Sequence, residues 1–129
     1  MSENKYLPSR LRSIRVALEG IKHVLITQQN ARIHTAITLA VILFAFLFRI
    51  NRVELVSLLL VIGFVWTAEI FNTAMEVMVD MVSPEHSQGA KIIKDISAGA
   101  VLISAIISVL VGFLVFGPKL LLFVRILFN

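Results

Sequence analysis

Four polar residues, Glu69, Asn72, Glu76 and Asp80, stand in "EIFNTAMEVMVD" directly after the apolar run "LVSLLLVIGFVWTA". Three carboxylates and an amide can take a proton, orient a hydroxyl and hold a divalent cation. At ~100° per residue, positions 69, 72, 76 and 80 point to about 0°, 300°, 340° and 20°, so one helix face carries all four. Ile70, Phe71, Ala74, Met75, Val77, Met78 and Val79 fill the rest of the surface. The polar stripe must therefore face inward or toward a partner subunit. At the bilayer centre one ionised side chain costs on the order of 3 kcal/mol even on lenient insertion scales, so two or more call for a use.

Depth separates their tasks. At ~1.5 Å per residue, Glu76 lies about 10 Å beyond Glu69 and Asp80 about 6 Å further. Glu69 is then level with the hydroxyl end of a lipid, while Glu76 and Asp80 face water. The following segment adds Glu85, His86, Lys91, Lys94 and Asp95 at the same edge. Lys94 next to Asp95 offers a phosphate-binding cation beside carboxylates able to hold Mg²⁺. Taken singly, each of these reads as a solvated loop charge, and Asn72 as polar glue between helices.

The elements that must position these residues follow from hydropathy. The chain has 129 residues, 58% hydrophobic and 16% charged, with a mean hydropathy of +0.92, the balance of an integral membrane protein of one domain. An amphipathic helix is expected over about 8–28, where Leu11, Ile14, Leu18, Ile21 and Leu25 form a stripe flanked by Arg10, Arg12, Arg15 and Lys22. Transmembrane helices are expected over about 33–50, 53–81 and 92–117. The second must run on through Glu69, because Leu55 to Ala68 alone is too short to cross. Gly117 and Pro118 are expected to interrupt the third and leave an apolar tail over 118–129. The polar, basic start carries no leader pattern, so the first helices are expected to stay in the mature protein.

Lys and Arg number eight on the side of the N-terminus and the segment between the second and third spans (Lys5, Arg10, Arg12, Arg15, Lys22, Arg32, Lys91, Lys94) and four on the other (Arg49, Arg52, Lys119, Arg125), which predicts a cytoplasmic N-terminus. A net charge of +4 with basic residues at membrane edges argues against a nucleic-acid partner and for acidic lipid headgroups. Cysteine is absent, which excludes disulfides and thiolate metal sites. His23, His34 and His86 do not cluster. No glycine-rich phosphate loop, G-x-S-x-G or H-E-x-x-H occurs. The residues alone leave two classes open: an enzyme acting on a lipid hydroxyl, or a small proton-coupled transporter or channel subunit whose buried carboxylates relay protons.

"EIFNTAMEVMVD" followed by "AKIIKDISAGAVLISA" resembles the signature of the small prokaryotic diacylglycerol kinases, a family that includes undecaprenol kinases. The similarity runs from "ALEGI" through "NARIH" to "FGPKL". It implies an all-α homotrimer in the bacterial cytoplasmic (inner) membrane, each subunit having a surface helix and three transmembrane helices. The implied reaction transfers the γ-phosphoryl group of ATP to diacylglycerol, giving phosphatidic acid, or else to undecaprenol, giving undecaprenyl phosphate. By the same resemblance Glu69 is the general base and Asn72 positions the hydroxyl. Glu76 ligates Mg²⁺, Lys94 neutralises phosphate charge, and Asp80, Glu85, His86, Ser87 and Asp95 complete the ATP site. Two departures stand out. Some members carry a second metal-binding glutamate where this chain has Gln28, a weaker Mg²⁺ ligand, and the loop histidine sits one place early, at His86 with Ser87 after it.

Overall fold

The computed structural model describes residues 9–83 and 87–128. These residues form four helices and no strand: α1 (Ser9–Thr27), α2 (Gln29–Leu47), α3 (Arg52–Val82) and α4 (Gln88–Phe128). The last three are long and apolar enough to cross a membrane. Glu85 and His86 lie outside the described residues.

A single residue separates α1 from α2. Gln28 is extended (φ −98°, ψ 123°), and its N–H still donates to the Val24 carbonyl at 2.9 Å. The expected start of the first span, residue 33, moves back to Gln29 because Gln29–Arg32 continue the helix outside the charge-free stretch. Hydropathy marks where lipid begins; it does not mark where hydrogen bonding begins. α2 ends three residues before the expected residue 50. Arg49 N–H donates to Phe46 O and Ile50 N–H to Ala45 O, both at 3.3 Å, a Schellman stop with Arg49 at φ 47°. α3 opens on a capping box: Asn51 Oδ1 accepts from Glu54 N–H at 3.0 Å, and Glu54 Oε2 accepts from Asn51 N–H at 2.8 Å. Its bounds differ from the expected 53–81 by one residue at each end.

The expected break at Gly117–Pro118 does not occur. α4 continues through Pro118 to Phe128, 41 residues in all, or ~62 Å at 1.5 Å per residue. Proline removes one backbone donor and can bend a helix without ending it, and the helix resumes through Phe128. The tail is the end of α4.

α3 packs most extensively against α4. On α3 the buried side chains are Leu58, Val65, Glu69, Asn72, Thr73 and Val79. The facing stripe of α4 reads Ser97, Val101, Ser104, Ser108, Gly112 and Val115, buried or half-buried at steps of three and four. Small residues there let the two backbones approach, which is how helices gain dispersion contacts where lipid removes the hydrophobic drive. α2 joins through Trp66 Nε1–H, which donates to Thr38 Oγ1 at 3.2 Å, and through Phe44, Phe48, Phe116 and Phe123, whose ring centroids lie 6.2–6.4 Å apart. Outward-facing Leu, Ile, Val and Phe side chains are exposed along all three long helices. On α1 Val24 is buried, whereas Leu11, Ile14, Leu18 and Ile21 are exposed. Lipid or another copy of the chain must cover these faces.

Candidate active site

The far end of the α3–α4 pair fixes a depth scale. Lys119 Nζ lies 3.0 Å from Glu54 Oε1, a half-buried ion pair at one edge. From Glu54 to Glu69 is ~22 Å along α3, and from Glu69 to Asp80 ~16 Å, at 1.5 Å per residue. A hydrocarbon core of about 30 Å therefore contains position 69 and leaves position 80 outside or at its boundary.

Glu69 is 1% exposed, the largest fully buried side chain of the described residues. Its backbone carbonyl accepts from Thr73 Oγ1–H at 2.9 Å, but its side-chain Oε2 is buried with no hydrogen-bond partner among the described residues. A buried acceptor left unmatched is costly and asks for an explanation.

One turn toward the edge, Asn72 Nδ2–H donates to Glu76 Oε1 at 2.9 Å and Asn72 Oδ1 accepts from Ser97 Oγ–H at 2.7 Å. Gln28 Nε2–H donates to Glu76 Oε2 at 3.4 Å, bringing the α1–α2 bend to α3. Beyond Glu76, Asp80 and Lys94 pair at 2.5 Å with both side chains substantially in solvent. They line a cavity of about 540 Å³ together with Ser83, Ser87, Gln88, Ala90, Lys91 and Asp95. Ser87 caps α4 there: its Oγ accepts from Ala90 N–H at 3.1 Å. The positive end of the α4 dipole, Lys91 and Lys94 thus meet in one place, an arrangement that attracts phosphate.

The structure divides the sequence-derived residues into two groups. Asp80, Ser87, Lys94 and Asp95 line the cavity; Glu69, Asn72 and Glu76 sit deeper along α3, Gln28 meets Glu76 from the α1–α2 bend, and none of these four lines it. Sequence reasoning missed Ser97, although its position three after Lys94 puts it on the same face of α4. It also missed the helix N-terminus at Gln88, for which Ser87 four residues before Lys91 was the available cap signal.

Among the described residues no three His, Asp or Glu side chains gather to hold an ion. The carboxylates are spread out: Asp80 and Asp95 line the cavity, and Glu76 stands half-buried one turn before Asp80 on α3. That donor set does not fit a metal caged by protein alone. It fits Mg²⁺ that arrives on nucleotide phosphates, since this ion keeps most of its water and takes one or two carboxylates.

Three helices long and apolar enough to cross a membrane, with a carboxylate buried on α3 and a polar cavity lined by Lys91 and Lys94 at one end, define an integral membrane protein. The profile of the prokaryotic diacylglycerol kinase family matches residues 15–116. Two similar proteins carry names. An undecaprenol kinase of Bacillus subtilis (strain 168) is 39% identical over 101 residues, covering 78% of this chain and 82% of that protein. A diacylglycerol kinase of Synechocystis sp. is 41% identical over 115 residues, covering 88% of this chain and 66% of the relative. The chain belongs to the prokaryotic diacylglycerol kinase family, and is a membrane lipid kinase. Membership of a kinase family implies a divalent cation.

Proposed function

We propose that this chain transfers the γ-phosphoryl group of ATP to the primary hydroxyl of a membrane lipid, diacylglycerol or undecaprenol. The observation that carries the reading is Glu69: a buried carboxylate oxygen with no donor among the described residues. An incoming O–H supplies that donor. The hydroxyl oxygen attacks the γ-phosphorus, the bond to the β–γ bridging oxygen breaks, the hydroxyl proton passes to Glu69, and ADP leaves. Phosphoryl transfer asks for placement and charge compensation more than for covalent help.

The remaining residues divide this work. Lys94, Lys91 and the α4 N-terminus attract the phosphates; Asp80, Ser87 and Asp95 border the same cavity. In the free protein Asp80 holds Lys94 by a solvent-exposed ion pair, which phosphate can displace at little cost. Mg²⁺ bound to the nucleotide supplies charge neutralisation of the phosphate oxygens, and Glu76 is the side chain that would hold it. Asn72, between Glu69 and Glu76, helps position the acceptor.

The exposed apolar faces of α2–α4 support a homotrimer with its site completed at subunit contacts, and the Lys and Arg distribution supports a cytoplasmic N-terminus in the bacterial inner membrane. The amphipathic stripe of α1 supports a helix lying on that membrane's inner surface. Crosslinking in bilayers tests the trimer.

The deciding experiment gives the full chain, reconstituted in bilayers, γ-labelled Mg·ATP and each lipid separately. Label in phosphatidic acid or undecaprenyl phosphate is expected, and the two rates name the acceptor. No labelled lipid from either acceptor overturns the proposal.

A further inference from the structure

Both oxygens of Glu76 are taken by amide donors from different parts of the chain. Asn72 Nδ2–H reaches Oε1 at 2.9 Å from one turn away on α3, and Gln28 Nε2–H reaches Oε2 at 3.4 Å from the α1–α2 bend. An ionised carboxylate only accepts, so the amide end that faces it must be the NH₂ in each case. The Asn72 carbonyl is thereby turned toward α4, where Ser97 Oγ stands 2.7 Å away. Ser97 has one proton and two acceptors in reach, Asn72 Oδ1 and the Lys94 carbonyl at 2.9 Å. Asn72 Oδ1, on a side chain only 6% exposed, has the greater need of it.

We propose that Ser97 and Gln28 are positioning residues for Glu76, the two ends of a hydrogen-bonded chain that aims its carboxylate at the nucleotide-bound cation. The proposal rests on reading Glu76 as that cation's ligand. Mg²⁺ accepts near-octahedral geometry at ~2.0–2.1 Å and little else, so a carboxylate free to swing is a poor partner for it. Outer partners that orient a ligand commonly control metal affinity by about 10- to 100-fold. Without the Ser97 hydroxyl, Asn72 loses the bond that keeps its carbonyl away from Glu76. A flipped amide would set oxygen against oxygen. Gln28 enters the same network as a donor: its NH₂ neutralises part of the Glu76 charge and ties the bend between α1 and α2 to α3. In this chain it acts through Glu76.

The test uses the full chain in bilayers with Mn²⁺ and a non-hydrolysable ATP analogue, reading protein-retained Mn²⁺ by electron paramagnetic resonance, and in parallel the Mg²⁺ concentration for half-maximal turnover. Ser97→Ala is expected to weaken Mn²⁺ retention about 10-fold, to raise the Mg²⁺ requirement by a similar factor, and to leave turnover at saturating Mg²⁺ within about three-fold. Ser97→Thr, which keeps the hydroxyl, is expected to restore both. Gln28→Met, which keeps the length and removes the donor, is expected to act in the same direction as Ser97→Ala. If Glu76→Gln weakens Mn²⁺ retention while Ser97→Ala and Gln28→Met do not, the positioning chain is overturned and the Glu76 assignment stands. If Ser97→Thr is as impaired as Ser97→Ala, the effect is packing and the proposal fails. Unchanged retention in Glu76→Gln removes the Glu76 assignment itself, and the proposal with it.

Discussion

Lys94 on α4 and Asp80 on α3 meet at 2.5 Å across the mouth of the cavity, each with much of its side chain in water. An exposed pair of this kind contributes ~0–1 kcal/mol to stability, so little is lost when one partner finds a better anion. Lys94→Met is accordingly expected to raise the ATP concentration for half-maximal turnover by about 10- to 100-fold, the worth of one charge-assisted hydrogen bond. Its thermal unfolding in detergent should shift by less than about 1 kcal/mol. Asp80→Asn should share the small stability effect. Titrating ATP against turnover for both variants checks this.

Glu69→Gln keeps the shape of the buried side chain and removes its capacity to accept a proton. A positioned general base is worth about 10²- to 10⁴-fold, so turnover should fall by that factor. Binding of a fluorescent ATP analogue should be unchanged, because Glu69 does not line the cavity. Turnover within about three-fold of the parent would remove Glu69 from the role.

How far the site could be read without a structure depended on whether its parts share a helix. Glu69, Asn72, Glu76 and Asp80 lie on α3, where a 3.6-residue period is enough to align them, and burial duly declines from Glu69 through Glu76 to exposed Asp80. The Gln28–Glu76 contact joins residues 48 apart, and nothing in either local pattern encodes it. Ser97 was overlooked for a different reason: a serine in "DISAGA" looks like packing, and only the close approach of α3 to α4 turns its hydroxyl toward Asn72. The expected break at Pro118 fails because a proline can bend a helix without ending it. The one-residue bend at Gln28 has no glycine or proline to announce it.

Chelation should separate activity from fold. Among the described residues no three His, Asp or Glu side chains gather round one point, so the helices are expected to hold their shape without a bound ion. Excess EDTA is expected to abolish lipid phosphorylation while helix content by circular dichroism and the unfolding temperature stay within error. Added Mg²⁺ should restore the rate in full. A loss of helix on chelation would point to a structural metal instead.

Ser104 tests how closely α3 and α4 must approach. It is 2% exposed, and among the described residues its hydroxyl donates to the Val101 carbonyl of its own helix at 2.8 Å. Ser104→Ala removes a bond that α4 does not require and should change stability by under about 0.5 kcal/mol. Ser104→Leu forces a larger side chain into the contact and should cost about 1–3 kcal/mol. It should also raise the Mg²⁺ requirement, since prying the helices apart separates Ser97 from Asn72. Unfolding in detergent and the Mg²⁺ requirement in bilayers, measured for both variants, give the comparison.

The opposite end of the bundle offers a control for all of these. Asn51 closes the first turn of α3 by bonding with Glu54, and Glu54 reaches on to Lys119 at 3.0 Å, so one small network caps α3 and clamps it to α4. Asn51→Ala removes a side-chain cap, a change that costs about 1 kcal/mol. The network lies ~22 Å along α3 from Glu69, at 1.5 Å per residue. Perturbations this far apart with no shared partner act independently. Asn51→Ala should therefore lower the unfolding temperature while leaving turnover, the ATP requirement and the Mg²⁺ requirement at the parent values. A rise in the Mg²⁺ requirement of this variant would mean that Glu76 is positioned by the register of the whole α3–α4 pair, and that the contacts at Gln28 and Ser97 are its consequence.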